Sequence, residues 1–276
     1  VQLADIDPAS TPGLPDSKSV RRDPKGWARA ELTGLGTQLA AQQEMLFANA
    51  KADKTFKHRV LLVMQAMDCG GKDGTVKKVV GMVNPQGVHI VGFGPPTPLE
   101  LRHDFLWRIR KAVPGAGLLG VFNRSHYEDV LVVRVRKLAT KREWLSRYPK
   151  INDFEEELTA AGVTLVKVML HISYEEQRER LLSRLEDPTK HWKYNPDDVD
   201  NRKFWPAYQE AYQDALARCS TDLAPWYVVP ADRKWYRDWA VANLLLEAMS
   251  GLNLRYPAAD FDPQAERARL EEGTHS

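Results

Sequence analysis

Two nearly unbroken apolar runs, VLLVMQAM at 60–67 and TLVKVMLHI at 164–172, constrain this chain more than any other feature. A strand with one wet face alternates polar and apolar residues, and these runs do not. Strands buried on both faces belong to parallel sheets covered by helices on either side. His89–Phe93, Leu118–Phe122 and Trp226–Val229 read as three further strands. Helical patterns fall at Lys72–Val83, Pro98–Lys111, Tyr127–Val135, Lys141–Ala161, Ser173–Leu185, Val199–Cys219 and Asp232–Met249. Strand–helix alternation of this kind predicts an α/β fold of three layers around a parallel central sheet. A chain of 276 residues is long enough to bury that core.

Residues 1–25 are rich in Pro, Asp and Ser and carry Lys18, Arg21, Arg22 and Lys25, which reads as an extended arm. Leu32, Leu35, Leu39, Met45 and Leu46 then recur at helical spacing, so a helix over 26–50 opens the domain, 26–276. The charged, turn-rich segment EDPTKHWKYNPDD at 186–198 interrupts the alternation and predicts a lid around 174–200.

Charge nearly balances, with 39 Lys and Arg against 37 Asp and Glu, so any polyanion site must come from local clustering. The two cysteines, Cys69 and Cys219, lie far apart, as suits a reducing cytoplasm. Cys69 reads as a small filler in a tight turn. No apolar stretch approaches the roughly 20 residues that span a bilayer, so the expected setting is soluble and cytoplasmic.

The first apolar run leads into DCGGKDGT, 68–75, and then into helical spacing. Gly-Gly-Lys alone also fits an ordinary turn with a solvated lysine. Apolar strand, glycine turn and helix together favour a phosphate site, where Gly70, Gly71 and Gly74 let the backbone approach and Lys72 supplies charge. The strict pattern G-x-x-x-x-G-K-[ST] fails twice, with Ala66 at the first glycine and Asp73 at the hydroxyl position. Asp68 adds a second carboxylate. Two acids beside a phosphate need a divalent cation or a ring of Lys and Arg.

Candidate cations follow. The strand ending at Phe122 runs into Asn123-Arg124-Ser125, with Glu128 and Asp129 one turn on. Around the lid stand Arg178, Arg180, Arg184, Lys190 and Lys193. Arg180 and Arg184 share a helix face and are expected to point at phosphates. A solvated face balanced by Glu175, Glu176 and Glu179 is the alternative. Arg178 falls on the stripe of Tyr174, Leu181, Leu182 and Leu185, where its stem is expected to pack.

With the loop, FNRSHYEDVLVVRV and EEQRERLLSRLEDPTKHWKYNPDD in hand, the chain resembles the polyphosphate kinase 2 family, in particular the branch acting on both nucleoside mono- and diphosphates. The likeness runs from VQLADIDP through PWYVVPADRKWYRDW to YPAADFDP. Asp68, Gly71, Lys72 and Gly74 match the family loop G-x-D-x-x-G-K-x-G, and Ala66 departs from it. Asn123 replaces the usual Asp of the family's Asp-Arg-Ser motif, a mark of the dual-substrate branch.

The resemblance implies a P-loop kinase fold with a helical lid and reversible, Mg²⁺- or Mn²⁺-dependent transfer between inorganic polyphosphate and nucleotides. ADP to ATP, AMP to ADP and GDP to GTP are the expected conversions. It implies Asp68, Lys72, Arg124, Arg180 and Arg184 as catalytic, and Gly70, Gly71, Lys72, Asp73, Gly74 and Thr75 as the phosphate loop. Arg108, Asn123, Lys190 and Lys193 become substrate contacts, and Asp68 with Glu128 or Asp129 becomes the metal site. A homo-oligomer is expected, with neither nucleic acid nor membrane as partner. A nucleotide-donor kinase of the thymidylate or adenylate kinase type and a non-catalytic polyanion- or nucleotide-binding module remain the alternatives.

Overall fold

Residues 2–272 are described in a computed structural model. Strands β1 (Arg59–Ala66), β2 (Val88–Gly92), β3 (Leu119–Asn123), β4 (Val163–His171) and β5 (Trp226–Pro230) form one sheet in the order β2-β3-β1-β4-β5. Every pairing is parallel. The two apolar runs are β1 and β4, side by side at the centre, and all but one residue of each is buried. The lysine inside the second run obeys the same rule. Lys167 is fully buried and its Nζ donates to Glu155, to the Tyr127 hydroxyl and to the Cys219 carbonyl, the pairing that a buried charge requires.

In chain order the helices are α1 (Lys18–Arg22), α2 (Pro24–Ala52), α3 (Lys72–Lys78), α4 (Trp107–Ala112), α5 (Val132–Val135), α6 (Lys141–Ala160), α7 (Tyr174–Glu186), α8 (Pro196–Asn201), α9 (Trp205–Cys219), α10 (Lys234–Ser250) and α11 (Pro263–Glu272). α10 packs on α2 and on β4 and β5, while α6 packs on β4 and α9. α2 starts cleanly because the Asp23 carboxylate accepts the Gly26 N–H at 2.8 Å and Pro24 takes the first helical position. The strand order reverses at β1, which opens a crevice at the carboxyl ends of β1 and β3.

Several expected elements differ. The arm is not extended throughout: it holds a 3₁₀ turn at Leu3–Asp5 and α1, anchored by buried Leu3 and Val20. The helix expected over 98–111 is a 3₁₀ turn, Glu100–Arg102, followed by α4. Leu99 and Leu101 find no core there and stay exposed. The helix expected over 199–219 is broken before Trp205, where Pro206, lacking an N–H, suits only a helix's first turn. The stretch over 127–135 is a 3₁₀ turn, His126–Asp129, followed by α5. α11 was not anticipated, and buries none of its residues.

Candidate active site

β1 ends at Ala66 and the chain turns through Met67–Gly71 into α3. Cys69 and Gly71 adopt left-handed backbone angles, φ 64° and 107°. Gly71 must be glycine for a second reason. A Cβ there would lie 2.0 Å from Nη1 of Arg237, whose guanidinium rests on the turn and also closes over Gly74. Gly70, Gly71, Lys72, Asp73 and Gly74 all line a cleft of about 560 Å³.

Lys72 is buried and its Nζ donates to the Ala66 carbonyl at 2.8 Å. Burial, with help from nearby Arg124, pushes its pKa down to about 8. Thr75 does not reach the cleft: it is fully buried and its hydroxyl donates to the Gly71 carbonyl. Asp68 pairs with Arg124 at 3.0 Å and accepts from Asn201 at 3.5 Å. Arg124, held at φ 65°, also faces Glu128 at 3.8 Å.

Asp73, a departure from the usual loop, and Asn123, a departure from the family's second motif, explain each other. Asp73 accepts from the Asn123 amide at 2.9 Å and from Lys193 at 3.4 Å. Burial raises the pKa of Asp73, but these partners outweigh it and the net shift is downward. An aspartate at 123 would set a second carboxylate against Asp73, whereas asparagine supplies a donor.

The lid arginines divide differently from the expectation. Arg180 is buried and its guanidinium donates to Glu176 and to the carbonyls of Cys69, Ala231 and Asp232. It borders the cleft, yet its hydrogen bonds clamp the loop to the start of α10. Arg178, expected to pack, is 65% exposed and pairs with neighbouring Glu179 at 3.1 Å. Leu181 of that stripe is buried, but Tyr174, Leu182 and Leu185 are exposed, so the side of the stripe that bears Arg178 faces outward. Arg180→Ala should therefore lower stability by about 2 kcal/mol by orphaning buried carbonyls, while Arg178→Ala stays within about 0.5 kcal/mol of wild type. Thermal midpoints of the two variants check this.

Arg184 lines the cleft, bonded to the Lys193 carbonyl at 2.9 Å and to Asp198 at 3.4 Å. Lys190 and Lys193 also line it; Lys190 pairs with Asp187 at 2.7 Å. Two cations absent from the sequence-based set join them, Lys234 and Arg237 of α10. Asp238 orients Arg237 by accepting from Nε and Nη2.

A second cleft, about 490 Å³, opens on the other side of Asp68, Asn123 and Arg124 and shares those residues with the first. Its walls are Phe93, Gly94, Pro95, Leu131, Tyr208 and Tyr212, with Glu128 at the junction. Tyr208 and Tyr212 are one turn apart on α9, a spacing that could have signalled a shared face. Arg108 stands behind this wall, with Nη1 donating to the Gly94 carbonyl at 2.9 Å and its guanidinium over the Phe93 ring.

Among the described residues no group of three His, Cys, Asp or Glu side chains could hold a metal alone. Asp129 does not reach the clefts: it accepts from Arg147 at 2.9 Å, and burial pushes it up to about 6. Asp68 and Asp198 do share the cleft, where burial and then the charge of Asp68 push Asp198 up to about 6. Two carboxylates in one cleft fit Mg²⁺, which takes one or two carboxylates and completes its shell with phosphate oxygens and water.

A parallel sheet whose central strand runs through a glycine- and lysine-bearing turn into a helix, with an arginine-bearing helix packed over that turn, is the architecture of the P-loop kinases. Residues 33–256 match the family described as polyphosphate kinase 2, and the chain belongs to that family. It is 47% identical over 243 residues to the AMP/ADP-polyphosphate phosphotransferase of Meiothermus ruber, covering 88% of this chain and 89% of that protein. It is 40% identical over 232 residues to the ADP-polyphosphate phosphotransferase of Rhodopseudomonas palustris, covering 80% and 78%. The crystal structure of Polyphosphate Kinase 2 from Arthrobacter aurescens TC1 superposes with a TM-score of 0.92 at 50% identity, over 99% of this chain and 93% of that one. No helix among the described residues is long and apolar enough to cross a membrane.

Proposed function

We propose that this enzyme transfers phosphoryl groups reversibly between inorganic polyphosphate and nucleoside mono- and diphosphates, AMP to ADP and ADP to ATP, with GDP accepted as well. The observation that carries the reading is the meeting of two unlike clefts at Asp68, Asn123 and Arg124. One is walled by Lys72, Arg184, Lys190, Lys193, Lys234 and Arg237, suited to a chain of phosphates; the other sets Phe93, Tyr208 and Tyr212 beside Arg136 and several carboxylates, suited to a nucleotide with its ring on the aromatic wall. The names of the M. ruber and R. palustris relatives support the same substrates.

In this reading the donor's terminal phosphate lies over Gly71 and Gly74, held by Lys72 and Arg237. Arg124 sits at the junction, where it neutralises charge on the phosphoryl group in flight. Arg184 and Lys193 hold the donor chain, and Tyr208 and Phe93 flank the nucleoside. Asp68, with Asp198 or Glu128, would hold Mg²⁺ or Mn²⁺, and a bound divalent ion would supply neutralisation of phosphate charge. A cytoplasmic homo-oligomer is part of the proposal.

The test follows ³¹P signals and nucleotide products with polyphosphate and either AMP or ADP as the sole substrates, with Mg²⁺ and with excess chelator. ADP and ATP should form only with the metal. Inertness toward polyphosphate beside activity with ATP as donor would instead identify a nucleotide-donor kinase.

A further inference from the structure

The cationic cleft ends at α10, but the positive charge does not. Residues 8–12 of the arm cross the start of α10. The Pro8 carbonyl accepts the Asp232 N–H at 3.1 Å, the Ala9 carbonyl accepts Nε of Arg233 at 2.8 Å, and the Pro12 carbonyl accepts the Tyr236 hydroxyl at 2.7 Å. The arm is thus pinned beside Lys234, which lines the cleft.

α1 and the start of α2 lie at the same end of the molecule. Trp27 meets Trp239 at 5.9 Å between ring centroids, and Asn49 donates to the Arg255 carbonyl just beyond α10. α2 and α10 therefore run in the same direction, and the amino-terminal end of each is the cleft end.

The segment 16–25, at this same end, holds four cations, Lys18, Arg21, Arg22 and Lys25, against Asp16 and Asp23. Asp16 is taken by Arg21 at 3.4 Å and Asp23 caps α2. Lys18, Arg22 and Lys25 are exposed, and among the described residues they form no ion pair. Buried Val20 fixes α1, so the cations are held in place rather than carried on a loose tail. Exposed Lys77 and Lys78 continue the charge along α3 from Lys72. Lys78 stands close enough to Asp238 to oppose the upward push that burial gives that acid.

We propose that the arm forms an outer polyanion subsite, in which Lys18, Arg22 and Lys25, with Lys77 and Lys78, hold the length of a polyphosphate chain that emerges from the cleft. The proposal rests on polyphosphate being the donor. A donor short enough to lie within the cleft never reaches these residues, whereas a long chain must pass over the rim somewhere. Exposed cations act through a screened, salt-sensitive attraction, so the subsite governs capture of long donors and not turnover.

The test compares wild type with the full chain carrying Lys18→Ala, Arg22→Ala and Lys25→Ala, after confirming an unchanged thermal midpoint. Each is assayed with tetrapolyphosphate and with a long-chain polyphosphate across a salt series. The variant's KM for the long donor should rise roughly tenfold, with a flatter dependence on log salt, in line with the loss of three phosphate-facing cations. Its kcat and KM with tetrapolyphosphate should match wild type. An unchanged KM for the long donor, or an equal rise with both donors, overturns the subsite. Failure of wild type to use any polyphosphate is seen before the variant is compared, and removes the donor assignment and the subsite together.

Discussion

Lys72→Met is expected to lower turnover by about 10³-fold, on the order of 4 kcal/mol of transition-state stabilisation, without unfolding the protein. The lysine is buried beside the loop glycines with one protein acceptor, the Ala66 carbonyl, so its remaining donors can face a phosphate. Methionine keeps the unbranched apolar stem and removes the charge.

Stability should respond in a particular way to pH. The folded pKa of Lys72 is depressed to about 8 from an ordinary 10.5, chiefly by burial, so the unfolded chain binds this proton more tightly. Wild type therefore bears the full cost of the buried charge below pH 8 and sheds it as pH rises toward 10.5. Any gain in thermal midpoint on Lys72→Met should shrink over that window. The wild-type kcat/KM, which reports the free enzyme, should also fall as pH passes about 8. A folded Lys72→Met variant retaining half the wild-type rate would remove this loop from the chemistry.

Asp68→Asn is expected to cost about 10³-fold in turnover, far more than Asp73→Asn. Asp68 holds Arg124 at 3.0 Å, faces both clefts and shares the first with Asp198, so its change to asparagine frees the arginine and, in the proposed reading, removes a metal ligand. Asp73 is already matched by Asn123 and Lys193, and its side chain is 60% exposed. Asparagine at 73 costs mainly the hold on Lys193. A magnesium titration of both variants distinguishes the two acids: Asp68→Asn should need much more metal, and Asp73→Asn should stay near wild type.

The sheet and the loop were legible in the sequence because both are contiguous. An apolar run of eight or nine residues without alternation, carrying β-branched residues, reads as a doubly covered strand, and in the first run the glycine turn follows directly. Lys234, Arg237, Tyr208 and Tyr212 were not legible, because α9 and α10 bring them to the loop from remote parts of the chain. The lid misled for a different reason. Helical periodicity separates the faces of α7 but does not say which one is inside. The face that is buried is the polar one, Gln177 and Arg180 with Leu181, since the loop beneath it offers carbonyls and not an apolar surface. The reason for asparagine at 123 lies in Asp73, fifty residues away in sequence and opposite it in space.

That two clefts divide the substrates between them is tested most directly by measuring KM for both substrates in Tyr208→Ala and in Arg184→Ala. Tyr208→Ala should raise KM for ADP about tenfold, the order of one lost aromatic contact of 1–2 kcal/mol, and leave KM for polyphosphate unchanged. Arg184→Ala should do the reverse. Parallel movement of both KM values in either variant, or a polyphosphate KM that follows Tyr208, would contradict the division.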